Sequence, residues 1–492
     1  MPWLARYGAV FDPALQGTTA PTGRHTVIRC LDKLTGLPSV RLLQSEEVPE
    51  VSSKPLQIFG SPQDEGAVAQ IQNVMKDDRV VAGALMADHH LGYSMPIGGV
   101  VVYDGAISPS GVGFDIACGN MCVRTTLNVF DFGNKDNISE VVKPIMRQIQ
   151  KSVSFGLGRS NEEPFDHELF DSSLWGMFPK ALKEKARQQL GTVGSGNHYV
   201  DILTDEKGIL WVANHFGSRG FGHTVASGFL AIAAGKKFED RVKETDDPAV
   251  LDTHTDAGMF YIEAMQLAGQ YAYAGREYVI QQVLSILGAD ASFVVHNHHN
   301  FAWLENDYWV VRKGATPLTT EPAFIGGSMG DVSVIVRGIN EDSSPYAHDV
   351  WDIGALGSAP HGAGRTMSRT KAAGKLRKMW ICPNRNCDFA PYRSESNKMS
   401  GYDKGKCPKC GIPLRKVRMR DTSDALIDWP QTRKDLIERG ITVLGAGADE
   451  APGVYKDLTE VLSHHPNIEV MHTLYPIGVV MAGSDTFDPY KD

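Results

Sequence analysis

The chain has 492 residues, of which 42% are hydrophobic and 22% are charged, and its formal net charge is -9 at pH 7. These values are typical of a soluble globular protein with a large core, and they argue against a protein that is basic throughout and binds nucleic acid over its whole surface. No apolar run reaches the roughly eighteen residues of a membrane helix, and residues 1–7 do not resemble a signal peptide. We therefore predict a cytoplasmic protein with no membrane partner.

The predicted elements mix strands and helices without regular alternation. In chain order they are a strand at 26–30, a helix at 64–75, strands at 80–86, 98–103 and 119–126, helices at 141–152 and 178–190, strands at 200–203 and 210–213, a helix at 256–287, and strands at 293–296, 308–312 and 333–337. Glycine-rich and asparagine-rich loops follow several of the strands. The pattern predicts an α+β fold with functional loops at strand ends.

The segment 111–119 carries a carboxylate at Asp115 and a thiol at Cys118 among glycines, which let a backbone approach a ligand closely. Two ligands do not complete a metal site. Further candidate ligands are histidines in Gly/Asn loops, at His198, at His215, within 296–300 and at His361. Asp, Cys and His together suit manganese, zinc or iron better than magnesium. We predict a composite metal site.

The loop 361–365 precedes a predicted helix at 366–378, and Arg365 and Arg369 flank the start of that helix. Backbone N–H groups at a helix start and arginine side chains both bind phosphate oxygens. The spacing leaves three roles open for His361: general base, metal ligand or nucleophile. The glycine loop at 326–330 is a second candidate phosphate or nucleotide loop.

Four of the seven cysteines form two pairs in the last third of the chain, Cys382 with Cys387 and Cys407 with Cys410. Two pairs at this spacing predict a zinc ribbon with structural Zn²⁺. Between Arg365 and Arg420 there are sixteen Lys/Arg and three Asp/Glu, a local balance of 16 - 3 = +13. The ribbon is therefore either a structural clip or an RNA-binding element.

A series of motifs from about residue 86 to residue 483 resembles the RtcB family of RNA-splicing ligases. The matching segments are 90–93, 96–99, 111–119, 196–198, His215 with 217–219, 299–302, 312–315, 327–330, 361–369 and 449–457. The resemblance implies an α+β mixed-sheet core with a central metal cleft, formed by 1–376 and 418–492, with the zinc ribbon inserted at 377–417. It also implies a GTP- and manganese-dependent ligase for tRNA splicing or RNA repair, which joins RNA 2',3'-cyclic phosphate or 3'-phosphate ends to 5'-hydroxyl ends.

The same resemblance implies roles for individual residues. One manganese would be bound by Cys118, His215 and His299, and the other by Asp115, Cys118 and His198. His361 would be guanylated and pass GMP to the RNA 3'-phosphate. The nucleotide would contact Asn197, Asp201, Ser328, Ser333, Ala363, Gly364 and Tyr455, and Arg219 and Arg365 would face RNA or phosphate. A helper protein for turnover is a further candidate partner.

Two departures from the family pattern affect the choice of nucleotide. Asp201 stands where the family carries a guanine-reading glutamate, and no lysine lies within 476–483, where a lysine normally touches the nucleotide. One alternative is therefore a ligase that uses a nucleotide other than GTP. The other is an RNA-binding or end-sensing protein that uses the ribbon and keeps a structural metal site.

Overall fold

A computed structural model describes residues 54–132, 138–243, 245–339, 354–384, 386–393 and 405–483. The strand predicted at 26–30 lies outside these ranges. In chain order the strands are β1 (Leu56–Ile58), β2 (Val80–His90), β3 (Ile97–Tyr103), β4 (Ala106–Ile107), β5 (Gly119–Asn128), β6 (Tyr199–Thr204), β7 (Ile209–His215), β8 (Leu251–Asp252), β9 (Ala291–His298), β10 (Asn300–Glu305), β11 (Tyr308–Lys313), β12 (Ala315–Pro317), β13 (Ala323–Ile325), β14 (Ser333–Gly338), β15 (Ser358–Pro360), β16 (Lys375–Ile381), β17 (Tyr392–Arg393), β18 (Arg415–Asp421), β19 (Thr442–Ala446) and β20 (Ile468–Gly483).

The helices are α1 (Glu65–Val74), α2 (Pro109–Val112), α3 (Ile138–Ser152), α4 (Lys180–Gln189), α5 (Arg219–Ala233), α6 (Asp256–Leu287), α7 (Arg369–Ala373), α8 (Trp429–Glu438) and α9 (Leu458–Ser463). The predicted helix at 256–287 is confirmed as α6. The Thr255 side chain accepts a hydrogen bond from Gly258 N at its start, and Gly288 ends it at φ 64°. In the part of the chain that the structure describes, no helix combines the length and the apolarity that crossing a membrane requires.

The helix predicted at 366–378 is wrong. Helix α7 has five residues, because Gly374 turns the chain out of the helix at φ 83° and the next residues form β16. Pairing of β16 with β18 satisfies backbone groups that a longer helix would have satisfied internally. Residues 375–381 therefore form a strand, although their sequence pattern predicts a helix, because β18 supplies hydrogen-bond partners.

Two sheets carry most of the fold. One contains five strands in the order β1-β2-β3-β11-β10, and the central sheet runs β13-β14-β20-β6-β7-β5-β9, with β19 paired to β20. The two ends of the central sheet approach each other, since Phe324 N on β13 donates to Asn297 Oδ1 on β9 at 3.3 Å. The central sheet is thus nearly closed, and the predicted α+β class is confirmed.

Helix α6 joins the cores of the two sheets. Its N-terminal half, with Tyr261 and Ala268, packs in one apolar cluster with Val101 and Val311, whereas its C-terminal half packs in a second cluster with strands of the central sheet. A helix buried on most sides explains why this segment is apolar and glycine-containing throughout. The chain also passes directly between the sheets at residue 299, between β9 and β10. This junction positions the candidate site.

Candidate functional site

The turn at 113–118 presents Asp115 and Cys118 at the start of β5. Cys118 N donates to Asp115 O at 3.0 Å, and Ala117, in the left-handed region at φ 60°, donates its N–H to Asn300 O at 2.7 Å. His299 N donates to Cys118 O at 2.8 Å from the same partner segment. The turn is therefore fixed by the junction between β9 and β10.

Three predicted histidines converge on Cys118. Strand pairing places His215, the last residue of β7, opposite Asn120, and its Nε2 lies 3.1 Å from Cys118 Sγ. His198, which precedes β6, places Nε2 3.6 Å from Cys118 Sγ and 3.0 Å from Asp115 Oδ2. The rings of His215 and His299 are 5.0 Å apart between centroids. Residues separated by up to 184 positions thus meet at one end of the central sheet.

These side chains form two candidate metal-binding groups, Cys118 with His215 and His299, and Asp115 with Cys118 and His198. Within each group the ligand atoms lie within 4.8 Å of one another. The groups share Cys118, and a thiolate has lone pairs enough to bridge two ions. The grouping matches the two sets that the resemblance implied.

Burial controls the protonation of this site. It lowers the pKa of His215 and His299 well below the ordinary histidine value, so both imidazoles are neutral and available as ligands. Burial opposes ionisation of Asp115, but the charge and hydrogen bond of His198 outweigh it and lower the pKa to about 2. Burial and the adjacent Asp115 carboxylate raise the pKa of the Cys118 thiol. A cation would reverse that shift by favouring the thiolate.

The residues fit a divalent transition metal. Among the described residues, Nδ1 of His299 is buried without a hydrogen-bond partner, and Nε2 of His198 faces both Cys118 Sγ and Asp115 Oδ2. A Cβ at Gly217 would lie 2.3 Å from Asp115 Oδ1 and 3.0 Å from Cys118 Cα, so only glycine allows the chain after β7 to pass this close. The donor set of thiolate, imidazole and carboxylate suits manganese, iron or zinc.

His361 lies beside these two candidate metal-binding groups, here together called the metal-binding centre. Its ring centroid is 5.0 Å from that of His299. Its Nδ1 is 2.7 Å from Asp88 Oδ2, and the same oxygen accepts hydrogen bonds from His361 N at 3.1 Å and Gly362 N at 3.3 Å. The Asp88 side chain is fully buried; burial opposes its ionisation, but His361 brings the net pKa below the ordinary value. The ionised Asp88 therefore holds a proton on Nδ1 and leaves the lone pair on Nε2.

Sequence reasoning missed Asp88 as a site residue. It lies in β2, whose flanking residues are largely buried and apolar, and its partner is 273 positions away. The signal in the sequence that could have identified Asp88 is its position at the end of an apolar run, directly before His89 and His90.

Arg276 on α6 is a second residue that sequence reasoning missed. Its fully buried guanidinium donates from Nη1 to Ala117 O at 3.0 Å and Phe216 O at 2.7 Å, the carbonyls next to Cys118 and His215. It also binds His296 Nε2 and His298 Nδ1, each at 2.9 Å. The ring nitrogens His296 Nε2 and His298 Nδ1 thus contact Arg276 and are not directed at a metal ion. The structure accordingly places His299, and neither of its two histidine neighbours, in a metal-binding group.

Several of the predicted nucleotide contacts lie near the loop that carries His361. Gly362 forms a bridge with Gly326, which sets the two predicted glycine loops side by side, and Ser333 Oγ accepts from Gly327 N at 3.0 Å. Ser328 hydrogen-bonds to Asp331. The remaining predicted contacts are distributed over neighbouring segments, with Asn197 adjoining His198, Ala363 and Gly364 following Gly362, and Tyr455 bonded to Glu450.

Asp201 lies on β6 with a buried carboxyl group. Its Oδ1 has no hydrogen-bond partner among the described residues, and burial raises its pKa well above the ordinary value. An orphaned acid of this kind is costly unless a ligand supplies its partner.

The predicted RNA-facing arginines differ in their surroundings. Arg219, at φ 57°, opens α5 beside His198, since a Cβ at Gly194 would lie within 2.3 Å of both side chains. The Arg365 guanidinium instead donates to Asp449 O at 2.9 Å and pairs with Glu450 at 3.5 Å. Arg369, predicted near a phosphate, also pairs with Glu450.

The four paired cysteines also meet. Cys382 and Cys410 place their Sγ atoms 3.4 Å apart, Cys387 and Cys407 are 3.6 Å apart, and all four lie within 4.8 Å of one another. Cys407 N donates to Ile412 O at 2.7 Å, a turn that Gly411 allows at φ 73°. Four thiols so arranged form a candidate site for a tetrahedral metal ion.

Comparison with known proteins agrees with this geometry. The family model described as tRNA-splicing ligase RtcB matches residues 70–177 and 170–384. The chain is 30% identical over 409 residues to the tRNA-splicing ligase RtcB of Archaeoglobus fulgidus, covering 66% of this chain and 81% of the relative. It is 30% identical over 319 residues to the RNA-splicing ligase RtcB of Escherichia coli, covering 59% of this chain and 75% of the relative.

A third relative extends the match along the chain. The tRNA-splicing ligase RtcB of Thermococcus kodakarensis is 28% identical over 482 residues, which covers 80% of this chain and 86% of the relative. The family model alone matches well over half of the 492 residues. The resemblance predicted from the motifs is confirmed, and the chain belongs to the RtcB family.

Proposed function

We propose that the protein is an RNA ligase that joins a 2',3'-cyclic phosphate or 3'-phosphate end to a 5'-hydroxyl end through a guanylated His361. Its relatives are named as RNA-splicing or tRNA-splicing ligases. The observation that carries the proposal is the orientation of His361 by the buried Asp88, 5.0 Å from a ligand of the metal-binding centre. A nucleophile beside metal-binding groups is the arrangement that phosphoryl transfer requires.

In the first step the Nε2 lone pair of His361 attacks the α-phosphorus of GTP, a P–N bond forms, and pyrophosphate leaves. Asp88 offsets the positive charge that develops on the imidazole, because it holds the Nδ1 proton at 2.7 Å. The ring then leaves as neutral imidazole when an oxygen of the RNA 3'-phosphate attacks the same phosphorus. Finally the 5'-hydroxyl oxygen attacks the 3'-phosphorus, its proton passes to solvent, and the P–O bond to GMP breaks so that GMP leaves. A 2',3'-cyclic phosphate end enters this sequence after water has added to the phosphorus and broken the bond to O2', which gives the 3'-phosphate.

Two manganese ions would be held by the two groups that share Cys118. When bound, they would supply neutralisation of phosphate charge at the reacting centre. The protein's own contribution is to keep His215 and His299 neutral as ligands, and to hold Ala117 and Phe216, the neighbours of Cys118 and His215, in place through Arg276. Arg219 is proposed to face the RNA phosphate. Arg365 is proposed as a second phosphate contact, which would form when its guanidinium leaves Glu450 and binds the phosphate instead.

Guanine recognition is assigned to Asp201, since its unpartnered Oδ1 is an acceptor, and in its protonated form a donor, for the base edge. The aspartate is one methylene shorter than the family's glutamate, so recognition of the base is tested directly.

The protein is incubated with manganese and each of the four triphosphates labelled at the α-phosphate. We expect an acid-labile adduct with GTP. Labelling by ATP in its place would overturn the guanine assignment, and the absence of any adduct would overturn the mechanism.

The alternative of an RNA-binding or end-sensing protein is less well supported. A binding module does not require a histidine whose tautomer is fixed by a buried carboxylate. The pairing of Asp88 with His361 therefore favours the ligase. The proposed location is cytoplasmic, and a helper protein for turnover is a proposed further partner.

We propose that residues 377–417 are a zinc-ribbon insertion in a catalytic domain formed by 1–376 and 418–492. In support, the family match ends at residue 384, and β16 pairs with β18 across the segment. The thiols of Cys382, Cys387, Cys407 and Cys410 would bind structural Zn²⁺ as thiolates.

Replacing Cys407 with Ser is expected to remove one zinc ion per chain, because the buried Cys407 lies 3.6 Å from Cys387 in the group of four thiols. Zinc content after dialysis and protease cleavage near the ribbon measure the loss. Formation of the His361 adduct should remain, since the two manganese groups share no ligand with this one. Cys122→Ala, at a buried thiol outside all three groups, is the control. Unchanged zinc content in the Cys407 variant would contradict the assignment.

A further inference from the structure

We propose that one face of the ribbon sheet binds the phosphate backbone of RNA beyond the two ends that are joined. This inference rests on the proposed function, because it names the part of the substrate that lies outside the cleft. The ribbon sheet comprises β17, β16 and β18, in that order. The two longer strands pair in register from Lys375 with Asp421 to Ile381 with Arg415.

The register sorts the side chains of β16 and β18 into two faces of different character. Directly paired residues of an antiparallel sheet share a face, and successive residues alternate between faces. One face, here called the apolar ribbon face, carries Met379, Val417 and Met419 at its centre, and its other positions are Lys375, Arg377, Ile381, Arg415 and Asp421. The other, here called the basic ribbon face, carries Leu376, Lys378, Trp380, Lys416, Arg418 and Arg420. A basic stretch of sequence thus becomes a surface with one sign of charge.

Among the described residues, Asp421 and Asp424 contact this sheet through Arg377, which lies on the apolar ribbon face. Asp421 pairs directly with Lys375, on the apolar ribbon face, and receives Arg377 at 3.4 Å. Asp424 accepts from the same arginine. Asp421 is the one carboxylate in β16 and β18, and the register places it on the apolar ribbon face. The basic ribbon face therefore carries no carboxylate from its own two strands.

Exposure and shape also suit a nucleic acid. Lys378, Lys416 and Arg418 are exposed, and Trp380 is half-buried. Lys416 Nζ lies 5.7 Å from the centroid of the Trp380 ring, which places a cation against an aromatic surface. Basic side chains beside an aromatic ring are the components that bind single-stranded nucleic acid through its backbone and its bases.

The sheet begins next to the candidate active site. Arg420 Nη1 donates to Gly374 O at 3.0 Å, at the end of α7, whose first residue is Arg369. A Cβ at Gly196 would lie 3.3 Å from Arg369 Nη2, so that helix adjoins the loop carrying Asn197 and His198. A seven-residue strand is about 20 Å long. RNA that leaves the metal-binding centre can therefore continue along the basic ribbon face.

The test compares two RNAs that carry identical 3'-phosphate and 5'-hydroxyl ends, one only a few nucleotides long and one with a long single-stranded body. The full-length Lys378→Glu/Lys416→Glu/Arg418→Glu variant is expected to bind the long RNA at least about tenfold more weakly in 0.1 M salt. The salt dependence of log Kd should fall by about two, since each lost contact to single-stranded RNA contributes about 0.7. Binding of the short RNA and formation of the nucleotide adduct should not change.

A matched control carries the same change in net charge on another exposed surface. Lys143→Glu/Arg147→Glu/Lys151→Glu alters three exposed residues of α3 and should leave the binding of both RNAs unchanged. Zinc content reports whether the ribbon has folded. If the triple variant loses zinc, the milder Lys378→Gln/Arg418→Gln variant replaces it, with a smaller loss of long-RNA binding expected.

Several outcomes would overturn the inference. The first is unchanged binding of the long RNA by a triple variant that still contains zinc. The second is a loss of long-RNA binding in the α3 control as large as that in the triple variant. The third is binding of poly-glutamate as tight as that of the long RNA, which would indicate a surface for acidic proteins. The proposed function fails separately, because it is tested by the nucleotide adduct, which forms without RNA. Loss of long-RNA binding in a protein that never forms the adduct would sustain the basic ribbon face and overturn the ligase.

Discussion

Substitution of His361 by Ala is expected to abolish the covalent nucleotide adduct and to reduce RNA joining by about a thousandfold or more. The imidazole Nε2 is the proposed attacking atom, and alanine supplies no nucleophile. The measurements are labelling with α-labelled GTP and joining of 3'-phosphate and 5'-hydroxyl RNA ends. Manganese binding should remain close to that of the unmodified protein, because His361 belongs to neither group that shares Cys118. Unchanged joining would exclude His361 as the nucleophile.

Two further variants separate chemistry from folding. Asp88→Asn should retain metal binding but reduce adduct formation by about 10² to 10⁴, because an amide does not hold the Nδ1 proton as an ionised carboxylate does. His254→Ala alters a histidine whose side chain is 82% exposed and should have no effect. A slow Asp88→Asn enzyme with intact metal binding identifies Asp88 as a residue that positions His361.

Candidate members of the two metal-binding groups were predictable from local signals in the sequence, and the resemblance to the family selected His299 and assigned the two sets. Cys118 and Asp115 lie in a glycine-rich turn, and His198 and His215 lie next to strand ends, where side chains from separate strands meet. For His361 the sequence left three roles open, and the resemblance to the family favoured the role of nucleophile. Each motif carries its own residue types, so the prediction needed no knowledge of the packing.

The supporting residues were not predictable in this way. Asp88 and Arg276 lie in elements whose pattern indicates burial, and their roles depend on partners 273 and 159 positions away. Glu450 likewise pairs with Arg365 and Arg369 from a distant segment. The helix predicted at 366–378 failed for a related reason, because β18 supplies the pairing that converts residues 375–381 into a strand. Sequence patterns locate ligands, whereas their positioning depends on tertiary contacts.

Replacing Cys118 with Ala is expected to weaken binding of both manganese ions together, by about a hundredfold or more. The reason is geometric, since Cys118 is the one residue common to the two metal-binding groups of the described chain. Asp115→Asn should instead weaken only the ion bound with His198, because Asp115 is absent from the group that contains His215 and His299. Titration of each variant with Mn²⁺, followed by the electron paramagnetic resonance signal of the free ion, gives the number of sites lost.

The pH dependence of manganese binding tests the same thiol. Burial and Asp115 raise the pKa of Cys118, so the metal-free thiol is protonated near neutral pH and must release its proton when the ion binds. The lowered pKa values of His215 and His299, and the pKa of about 2 for Asp115, remove these groups from titration in that range. Affinity for the ion bound by Cys118, His215 and His299 should therefore rise by about tenfold per pH unit, because Cys118 is the one ligand of that group that releases a proton.

Cys122→Ala provides the matched control for this prediction. Cys122 lies on the same strand as Cys118, is equally a buried free thiol, and belongs to neither manganese group. Its replacement should leave both ions and their pH dependence unchanged, and an unchanged circular dichroism spectrum and unfolding temperature show that each variant is folded. Two tightly bound manganese ions in Cys118→Ala would contradict the bridge. A ligand shared by two ions cannot be removed without affecting both. Loss of one ion alone would therefore place Cys118 in a single metal site, and the other site would then be formed by Asp115 and His198 without Cys118.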